Sequence, residues 1–424
     1  MREKIAVIGS GIAGLSTAYL AQHQYDITLF EKNDYLGGHA NTRSVKIDNI
    51  HIPVDTGFIV FNNHTYPNLI KLFSELEVET HESDMSFSFY NPYKSFEYGG
   101  GSLLSLIGDK SNLVKLTFYR MIIDIIRFYK KFQKTTTNVP KMTIEDYCLK
   151  NNYSKAFINF HLLPLISSIW STPNKLSMKQ PLSNIVSFFQ NHKLFNFIDR
   201  PQWKTVKGGS KNYIQKIVNN TKMDIRLSTK IENIKVKKKG FDIYINGAFE
   251  HFDKVVFAAP PNHFSKLITS WTESQREILS KFQFQKNHVQ LHQNHSTMPK
   301  YKKTWSSWNF YTNQNQNFSL TYWMNRLQDI KTKKNIFVSL NQNFKKNVSY
   351  ETFYDHPVMS DEVSLAQKNI GIIQGVNNIY YVGSYLGFGF HEDGLQSAIK
   401  VCEKMNIKFT KNFMNNDTSR IPWK

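Results

Sequence analysis

The segment from Lys4 to His39, KIAVIGSGIAGLSTAYLAQHQYDITLFEKNDYLGGH, has the order of a strand, a glycine turn, a helix and a second strand. Ile5 to Ile8 is a short apolar run bounded by glycine, which is typical of a parallel strand buried on both faces. A helix is predicted from about Ile12 to Gln22, and a second strand from Ile27 to Phe30. The segment therefore predicts the start of a parallel α/β nucleotide-binding unit.

The turn of this segment fits the G-x-G-x-x-G pattern with Gly9, Gly11 and Gly14. The first glycine allows the tight turn, the second lets the backbone approach a pyrophosphate, and the third permits close packing of the helix on the strand. The helix that follows directs its first N–H groups and the positive end of its dipole at the phosphate. The turn predicts dinucleotide binding, with a plain glycine turn as the alternative.

Glu31 ends the second strand, 17 residues after Gly14. An acidic side chain at this place can accept hydrogen bonds from both hydroxyls of a ribose. The pattern up to this point does not separate NAD from FAD. Gly37-Gly38 favours FAD, because a paired glycine follows the acidic residue in two-dinucleotide-fold flavoproteins, although an ordinary turn would look the same.

The composition allows large domains and gives a basic protein. With 424 residues, 41% of them hydrophobic, the chain is long enough for two large domains or for one domain with an elaborate insertion. Lys and Arg number 53 against 33 Asp and Glu, so the net charge is +20. This charge favours anionic partners such as nucleic acid, acidic lipid surfaces or acidic substrates. Because the basic residues are scattered along the chain, general solubility is the alternative, and we expect no nucleic-acid partner.

The cysteines and histidines do not suggest a metal site. Cys148 and Cys402 are far apart and form no C-x-x-C motif, which suits a reducing compartment. His292 and His295 are three residues apart on a predicted strand and would point to opposite faces, so we expect no metal. The first strand begins within four residues of the N-terminus and no uncharged apolar run of about 18 residues occurs, so neither a signal peptide nor a transmembrane helix is predicted.

Local signals predict several further elements of the nucleotide-binding unit. A hairpin should turn at Asp48-Asn49, and a helix should begin at Pro67. The run from Lys254 to Pro260 predicts a buried strand that returns the chain to this unit. Asp55-x-Gly57 is interpreted either as a turn or as a loop at the edge of the cofactor.

The strand-helix alternation is lost between residues 83 and 200. Within this stretch, the run from Leu113 to Phe132 predicts an amphipathic helix. The helix either lies on an anionic membrane or packs its apolar stripe inward. Its apolar side comprises Val114, Phe118, Met121, Ile122, Ile125, Tyr129 and Phe132, and its mostly basic side comprises Lys115, Arg120, Asp124, Arg127, Lys130 and Lys131.

Two stretches supply candidates for a substrate cavity. The segment from His161 to Pro173 is apolar enough to line a cavity, or it is an ordinary buried helix that ends before Pro173. The stretch from about His288 to Asn341 is predicted to be rich in strands. Aromatic side chains are more often part of a core than of a cavity. The candidate cavity residues are Trp170, Trp308, Tyr322, Trp323 and Asn325.

A second glycine-bounded helix is predicted later in the sequence. The run from Asn378 to Ser384 predicts a strand that ends at a glycine, and a helix is predicted from Leu395 to about Met405. Such a unit presents another positive helix end to the oxygens of a cofactor. An ordinary strand-to-helix loop looks similar, so this prediction gains its weight from the first glycine motif.

With both glycine regions in view, the chain resembles the flavin-dependent amine oxidoreductase superfamily, which includes amine oxidases, protoporphyrinogen oxidase and phytoene-type desaturases. More narrowly, it is similar to the bacterial family of predicted NAD/FAD-binding flavoproteins. Nine motifs stand in family order over nearly the whole chain: GGHANTR, DTGFIVFN, TYPNL, SDMSFS, IWSTP, GGS, SWN, TYWMNRLQ and GFHEDGL.

The resemblance implies an α/β fold in which a two-dinucleotide-binding, Rossmann-type FAD domain carries an inserted α+β substrate domain. The FAD-binding domain is expected to comprise residues 1–82, 201–265 and 370–424. The substrate-binding domain is expected to comprise residues 83–200 and 266–369.

The resemblance also implies FAD in an extended pose. Glu31 would hold the adenosine ribose, Gly11 to Gly14 the pyrophosphate, and the backbone of Ile231 the adenine. Gly383-Ser384 and the helix after Gly394 would meet the ribityl chain and the flavin edge. Some amine oxidases attach FAD to a cysteine in this segment, and no cysteine lies between these glycines, so we expect noncovalent FAD.

Two departures weaken an amine-oxidase assignment. The Gly-Gly-Arg of amine oxidases is Gly-Gly-His39 here, and their paired aromatic cage beside the flavin is not recognisable. The cofactor-binding residues implied by the resemblance are Gly9, Gly11, Ile12, Ala13, Gly14, Glu31, Lys32, Gly38, His39, Thr56, Gly57, Ile231, Gly383, Ser384, Asp393, Gly394 and Leu395.

Relatives in the narrower family are typically encoded beside methyltransferases similar to cyclopropane-fatty-acid synthase. The resemblance therefore implies an FAD-dependent oxidoreductase that desaturates or otherwise redox-modifies a membrane-derived fatty acyl chain. Its expected partners are a lipid or other hydrophobic small-molecule substrate, an anionic membrane surface and a methyltransferase. Its expected location is the cytoplasm, at the inner face of the membrane. Oxidation of a soluble amine, or flavin binding without turnover beside such a methyltransferase, are the alternative functions.

His391 and Glu392 are the candidate catalytic residues, because they are the titratable groups nearest the predicted flavin edge. A purely structural role for both, such as capping a helix, is the alternative.

Overall fold

A computed structural model describes residues 2–134, 139–170, 177–313, 318–408, 413 and 419–423 of the protein. Strands and helices are numbered here in chain order over these residues. The predicted end of a helix before Pro173 lies outside them, because residues 171–176 are not among those described.

One sheet of the described residues is fully parallel and has the strand order β10-β2-β1-β14-β20. Its strands are Lys4–Ile8 (β1), Asp26–Phe30 (β2), Asp224–Arg226 (β10), Lys254–Phe257 (β14) and Ile379–Tyr381 (β20). Ala6 of the central strand pairs with Val255, so the predicted return of the chain to the nucleotide-binding unit is confirmed. Ile5, Ala6 and Val7 are fully buried, as expected for a strand covered on both faces.

A second sheet has seven strands in the order β19-β15-β18-β17-β16-β7-β8. All neighbours in it are antiparallel except the parallel pair of β16 and β7. Its strands are Phe87–Asn91 (β7), Phe96–Gly99 (β8), Phe284–His292 (β15), Trp308–Thr312 (β16), Phe318–Trp323 (β17), Phe337–Leu340 (β18) and Val348–Pro357 (β19). The predicted strand-rich character of residues 288–341 is therefore confirmed.

The described residues also form smaller sheets. They comprise the hairpin Thr42–Ile47 (β3) and Ile50–Asp55 (β4), the set Phe61–Asn62 (β5), Thr80–Ser83 (β6) and Trp203–Val206 (β9), and the meander Asn233–Val236 (β11), Phe241–Ile245 (β12) and Ala248–Phe252 (β13). The predicted hairpin turn is confirmed, because Asp48 and Asn49 both have positive φ, 47° and 65°.

The helices cover the parallel sheet and form a layer between residues 103 and 191. The α-helices are Ile12–Ala21 (α1), Pro67–Glu75 (α2), Leu103–Ile107 (α3), Leu116–Gln133 (α4), Ile144–Lys150 (α5), Lys155–Phe157 (α6), Leu163–Trp170 (α7), Leu182–Asn191 (α8), Lys211–Asn219 (α9), Pro261–Phe264 (α10), Glu273–Ser280 (α11), Met324–Leu327 (α12), Asp361–Asn369 (α13) and His391–Lys404 (α14). A π-helical turn spans Ile158–Leu162, and 3₁₀ turns span Pro92–Lys94, Lys110–Val114, Lys302–Thr304, Ile370–Ile372, Val376–Asn378 and Ser384–Leu386. Across the described ranges, no helix is both long and apolar enough to cross a membrane.

Helix α4 confirms the inward packing of the predicted stripe and corrects three details. Phe118, Met121, Ile125, Tyr129 and Phe132 of the stripe are buried. The helix begins at Leu116, so Val114 lies in the preceding 3₁₀ turn and is 85% exposed. Asp124, predicted on the polar side, is buried beside Arg127 at 3.2 Å and accepts a bond from the Ser154 N–H. Ile122 is only half-buried at the edge of the stripe.

The C-terminal helix also differs from the prediction. It begins at His391 rather than at Leu395. The reason is local, because Asp393 Oδ2 accepts the Phe390 N–H at 2.8 Å, and acidic residues in a first turn are stabilised by the helix dipole. The predicted loop residues His391, Glu392 and Asp393 therefore form the first helical turn.

Buried apolar side chains form two cores in the part of the chain that is described. The larger core fills the nucleotide-binding unit and continues into the helical layer. The smaller core lies between the seven-stranded sheet and the hairpin, where Tyr322 and Tyr354 meet Val45 and Val54. The hairpin thus packs against the second sheet while Asp55 leads directly back toward the glycine turns.

Candidate functional site

The first glycine turn is shaped by contacts between backbone atoms. Gly9 has φ of 110°, and a Cβ at this position would lie 2.6 Å from the Ala258 carbonyl oxygen. A Cβ at Gly14 would overlap the Gly9 carbonyl oxygen. At Gly11, by contrast, a Cβ would meet nothing within 4 Å. Two of the glycines are therefore required by the fold itself, whereas Gly11 faces open space at the N-terminus of α1, as a phosphate cradle requires.

The second glycine pair lies against the first turn. The Gly37 N–H donates to the Ser10 carbonyl at 3.0 Å, and a Cβ at Gly38 would lie 3.3 Å from the Gly11 Cα. Gly38 has φ of 59°, which favours glycine. The two glycine segments, separated in sequence, thus form adjoining walls of one cradle.

Glu31 lies beside this cradle and is buried. Its Oε2 accepts the Ser10 N–H at 3.0 Å and the Ser10 hydroxyl at 2.6 Å, and its Oε1 accepts the Asn33 N–H at 2.9 Å. A carboxylate has about four acceptor positions, and the Ser10 hydroxyl can rotate away from its position. The residue fits a ribose ligand at the position where the cradle needs one.

The segment predicted to reach the adenine is tied to the same corner. The Thr229 N–H donates to the Glu31 carbonyl at 2.9 Å, and the Ser228 N–H donates to the Asn33 carbonyl at 2.8 Å. Ile231, two residues beyond Thr229, is buried. Lys32 is exposed, and its Nζ lies 3.4 Å from His263 Nδ1.

The first turn of α14 packs directly on the first turn of α1. A Cβ at Gly394 would lie 2.8 Å from Ile12 Cγ2 and 3.8 Å from the Ala13 Cβ. The Gly383 N–H donates to the Ser397 hydroxyl at 2.8 Å, which holds Gly383 and Ser384 against α14. Leu395 is buried. Two helix N-termini from distant parts of the chain therefore converge on the glycine cradle.

Asp393 stabilises this arrangement from inside the protein. Besides capping the Phe390 N–H, its Oδ1 lies 3.5 Å from Arg420 Nη1, and both side chains are buried. Burial raises the pKa of Asp393 to about 6, although Arg420 opposes the rise. The predicted cofactor residue thus shapes the start of α14 through its carboxylate.

Glu392 points away from the cradle, toward α2. Its Oε1 accepts the Asn68 N–H at 3.1 Å and the Asn68 amide at 2.7 Å, and its Oε2 accepts the Leu69 N–H at 3.0 Å. Gln396 donates a further bond at 2.9 Å. Asn68 and Leu69 lie in the first turn of α2, so Glu392 caps that helix from outside it. The contacts of Glu392 therefore agree with the alternative interpretation, a structural role as a helix cap.

His391 lies on the opposite side of the same turn. Its ring stacks on Phe58 at 3.6 Å, and its Nε2 lies 2.9 Å from the Tyr213 hydroxyl. Burial and the nearby His39 lower the pKa of His391 well below its usual value. Burial raises the pKa of Tyr213, and Asp55 acts in the same direction. Both side chains are therefore neutral at physiological pH, and one hydrogen bond links them.

The His39, Thr56 and Gly57 segment meets strand β19. The Phe58 N–H donates to the His39 carbonyl at 2.7 Å, and a Cβ at Gly57 would overlap that carbonyl. The His39 ring lies 4.6 Å from the ring of Tyr354, and the Thr56 hydroxyl lies 2.9 Å from the Tyr354 hydroxyl. Burial lowers the pKa of His39 to about 4, so the ring is uncharged at neutral pH.

Asp55, the first residue of the Asp55-x-Gly57 loop, binds two distant parts of the chain. Its carboxylate accepts the Ser210 N–H at 2.9 Å and the Ser210 hydroxyl at 2.7 Å. It also accepts the Thr42 hydroxyl at 2.5 Å and the Gln328 amide at 2.8 Å. The sequence allows Asp55-x-Gly57 to be interpreted either as a turn or as a loop at the edge of the cofactor. Both interpretations fit, because Asp55 holds the loop and the loop lies beside the Gly37-Gly38 segment.

An aromatic cluster surrounds the loop that leads into α14. Trp170 Nε1 donates to the Phe388 carbonyl at 3.3 Å, and the Trp170 ring lies 4.8 Å from Phe188. Phe188 stacks on Phe390 at 5.1 Å and on His192 at 3.9 Å. Burial lowers the pKa of His192 to about 3. The cluster is therefore apolar and uncharged at neutral pH.

The structure separates the other candidate cavity residues. Trp308 and Tyr322 pair edge to face at 5.0 Å on the side of the second sheet that faces the hairpin. Trp323 follows Tyr322 in β17 and points to the other side, where it meets Trp305 at 5.4 Å, because successive strand residues alternate. The Asn325 amide oxygen accepts the Ile336 N–H at 2.8 Å. The five predicted residues therefore do not line one surface.

Residues 7–76, which contain the three-glycine turn, the Gly37-Gly38 pair and Glu31, match a family model described as an NAD(P)-binding Rossmann-like domain. Over 287 residues the chain is 21% identical to coproporphyrinogen III oxidase of Staphylococcus aureus, and the match covers 61% of each protein. The chain spans less than two thirds of the length of the curated relatives it matches.

Solved structures match over almost the entire chain. Cyclohexylamine oxidase from Brevibacterium oxydans gives a TM-score of 0.66 at 14% identity, covering 96% of this chain and 100% of that chain. A CLA-producing fatty acid isomerase from P. acnes gives a TM-score of 0.65 at 13% identity, covering 95% of this chain and 98% of that chain. The chain has the fold of these solved structures.

The sequence did not predict three residues of this site. Tyr213 pairs with His391, Arg420 with Asp393, and Tyr354 with Thr56. A signal for Tyr213 existed, because it follows the Gly208-Gly209-Ser210 turn that opens α9. Arg420 and Tyr354 carry no comparable local signal, since each meets its partner only through the tertiary fold.

Proposed function

We propose that this protein is an FAD-dependent oxidoreductase that binds FAD noncovalently. The observation that carries the proposal is the contact between Gly394 and Ile12, which brings the first turns of α14 and α1 together at the open face of Gly11. Two positive helix ends directed at one cradle suit a dinucleotide with negative charge along its length. The cradle, Glu31 and the Ile231 segment follow one another in the order that an extended FAD needs.

In this proposal the chain divides the work of holding the cofactor. Gly11, Ile12 and Ala13 would bind the pyrophosphate through backbone N–H groups, Glu31 would accept bonds from the ribose, and Ser384 would meet the ribityl chain. No cysteine stands between residues 383 and 394 of the sequence, which agrees with noncovalent binding. When bound, FAD accepts a hydride from a carbon of the substrate.

The proposed substrate is a membrane-derived fatty acyl chain, which would be desaturated or otherwise redox-modified. The aromatic cluster of Trp170, Phe188, Phe388 and Phe390 supports an apolar substrate, since its surfaces bind hydrocarbon and exclude water. The neutral rings of His39 and His391 offer no charge for an ionic substrate group. The fatty acid isomerase with this fold supports the same substrate class.

His391 and Tyr213 are the residues proposed to move the proton. The neutral imidazole would accept the proton, the Tyr213 hydroxyl 2.9 Å from Nε2 would orient the ring, and the stacking on Phe58 keeps the ring in place. Glu392 is assigned a structural role, because its carboxylate accepts hydrogen bonds from the first turn of α2.

The proposal is tested by mixing the FAD-loaded protein, without oxygen, with phospholipid vesicles and separately with a panel of amines. Loss of the oxidised-flavin absorbance with the lipid, and none with the amines, is the expected result. Reduction by a simple amine would overturn the acyl proposal in favour of amine oxidation.

A second test compares the lipids of cells with and without the gene. We expect the acyl-chain profile to change when the gene is removed. An unchanged profile, together with a methyltransferase that co-purifies with a protein inert to both substrate classes, would favour the non-catalytic alternative.

A further inference from the structure

Helix α4 carries a second apolar stripe on its solvent side, in addition to the stripe that packs inward. Leu116, Tyr119, Ile123 and Ile126 recur at spacings of three and four residues and so share one face. Their exposed fractions are 74%, 46%, 62% and 39%. We call these four residues the outer stripe. The outer face of a surface helix is normally polar, so this stripe points to a contact outside the chain.

The apolar surface extends into the segment before the helix. Leu103 and Leu104 of α3 are 75% and 70% exposed, and Leu113 and Val114 of the following 3₁₀ turn are 45% and 85% exposed. The Tyr119 hydroxyl donates to the Leu113 carbonyl at 2.7 Å, so the outer stripe is tied to that turn. Exposed apolar residues are thus concentrated in one short part of the chain.

The same part of the chain is strongly basic. Between residues 103 and 134 it contains seven basic and two acidic residues. Both acidic side chains are engaged locally, since Asp124 is buried beside Arg127 and Asp109 accepts the Ser111 N–H at 2.8 Å. The basic residues are Lys110, Lys115, Arg120, Arg127, Lys130, Lys131 and Lys134.

Charge and apolar character follow one another along the outer face of α4. Its first three turns present the outer stripe, flanked by Arg120. Arg127 and Lys130, and Lys134 just after the helix, follow on the same side. An interfacial helix has this composition, because its apolar side chains enter the acyl boundary while its basic side chains contact anionic headgroups.

We propose that the outer stripe and its basic neighbours dock this protein on a lipid bilayer that contains anionic phospholipid. The positive charge around the stripe complements such headgroups and would not be needed to bury the stripe against a neutral partner. Docking requires no turnover, so the proposal stands or falls independently of the acyl substrate.

The docking face belongs to the helical layer that reaches the candidate site. Helix α4 packs on α6 and on the π-helical turn Ile158–Leu162, and this turn continues into α7. Helix α7 ends at Trp170, which donates to Phe388 beside α14. Docking would therefore place the helical layer, which contains Trp170 of the aromatic cluster, against the bilayer.

The test is flotation of the full-length protein with vesicles of phosphatidylcholine and phosphatidylglycerol, and with vesicles of phosphatidylcholine alone. We expect binding to the anionic vesicles that weakens as salt is added. Leu116→Asn combined with Ile123→Asn should weaken the binding at least about tenfold, since two exposed aliphatic side chains of the outer stripe no longer enter the bilayer. Arg120→Gln combined with Lys130→Gln should weaken it by roughly tenfold.

Matched control variants lie in the other unit. Ile372 is 66% exposed, close to the 62% of Ile123, and Ile372→Asn should bind like the wild type. Lys238→Gln combined with Lys239→Gln removes two exposed charges in the turn between β11 and β12 and should also leave binding unchanged.

Three outcomes would overturn the proposal. One is a wild-type protein that floats with neither kind of vesicle, and another is a stripe variant that binds as strongly as the wild type. The third is a wild-type dimer, seen by sedimentation without vesicles, that Ile123→Asn dissociates, because the stripe would then belong to a second copy of the chain.

Discussion

At the scale of single residues, buried carboxylates hold this protein together by accepting bonds from distant backbone. Glu31 accepts from Ser10, Asp55 accepts from Ser210, and Glu392 accepts from the first turn of α2. Hydrogen bonds to a charged group contribute about 1.5–3 kcal/mol each. Each of these acids is therefore a position where one substitution has a defined structural effect.

Glu31→Ala should weaken FAD binding. The substitution removes the acceptor of the proposed ribose hydroxyls, so we expect a loss of about 1.5–3 kcal/mol of binding free energy. The measurement is titration of the apoprotein with FAD, followed by flavin fluorescence. Asp26→Ala, at the exposed start of the same strand, should bind like the wild type. A Glu31→Ala protein with wild-type affinity would contradict the assignment.

Tyr213→Phe should slow flavin reduction without releasing the cofactor. Loss of the hydroxyl breaks the link to His391, and positioned proton transfer contributes about 10²–10⁴-fold to a rate. Stopped-flow absorbance with the reducing lipid gives the rate and its pH profile. Tyr66→Phe removes a hydroxyl from another buried tyrosine and should keep the wild-type rate. An unchanged rate and pH profile for Tyr213→Phe would remove the pair from the mechanism.

At the scale of elements, the site is built where two helices begin. Helix α1 follows β1 and helix α14 follows β20, and their first turns touch at Ile12 and Gly394. The strands β1 and β20 are both parallel to β14, so their following helices start at the same edge of the sheet. Ligands of open α/β sheets bind at this edge.

Gly11→Ala should weaken FAD binding, whereas Gly14→Ala should lower the stability of the protein. A Cβ at Gly11 meets open space, and its φ of −65° suits alanine, so the apoprotein should keep its stability while FAD binding weakens at least about tenfold. A Cβ at Gly14 overlaps the Gly9 carbonyl, so this variant should lose about 1–3 kcal/mol of unfolding free energy. Urea unfolding of the apoproteins and FAD titration measure the two effects. Tight FAD binding by Gly11→Ala would mean that the cradle lies elsewhere.

Glu392→Ala should lower stability and leave the chemistry of bound flavin unchanged. The N–H groups of Asn68 and Leu69 lose their acceptor, which should cost about 1–3 kcal/mol. Thermal unfolding gives the stability, and the reduction rate per bound flavin gives the chemistry. Glu145→Ala, in the exposed first turn of α5, is the matched control. A large drop in that rate at full flavin content would restore a catalytic role for Glu392.

At the scale of the whole molecule, the hairpin of β3 and β4 joins the two large sheets. Its apolar face completes the core beneath the second sheet, and Asp55 at its end binds both Ser210 and Gln328. Asp55 therefore links the start of α9 to the end of α12.

Stability should rise as the pH rises from about 4 to 6.5, in part because His292 is buried and neutral. Its Nε2 lies 2.8 Å from the Ser339 hydroxyl, its Nδ1 accepts the Asn294 N–H, and burial lowers its pKa to about 4. Below pH 6.5 the unfolded histidine binds a proton that the folded one does not, so the unfolded state is favoured as pH falls toward 4.

His292→Gln should flatten this dependence by up to about 1.4 kcal/mol per pH unit. Urea unfolding at a series of pH values measures the slope. His23→Gln, at an exposed site, should leave the wild-type slope. Equal slopes for wild type and His292→Gln would show that His292 is protonated alike in both states.

Much of the nucleotide-binding unit was predictable because its signals are local. The strand ends at Ile8 and Phe30, the hairpin turn at Asp48-Asn49 and the helix start at Pro67 agree with the prediction within a residue. The start of α14 was missed by four residues, since Asp393 caps a residue that the glycine pattern had assigned to a loop. The domain boundaries, the FAD and the acyl substrate remain predictions.

The amino-acid sequence by itself determined the glycine turns, the acidic residue after the second strand and the amphipathic pattern of α4, because each depends on residues within a few positions of one another. The tertiary structure alone decided that Glu392 serves α2, that Tyr213 meets His391, and that the outer stripe of α4 stays uncovered. Those outcomes depend on contacts across long sequence separations, such as the 178 residues between Tyr213 and His391. Patterns of neighbouring residues do not predict such long-range contacts. Thus the glycine cradle could be recognised from the sequence, whereas what surrounds it required the fold.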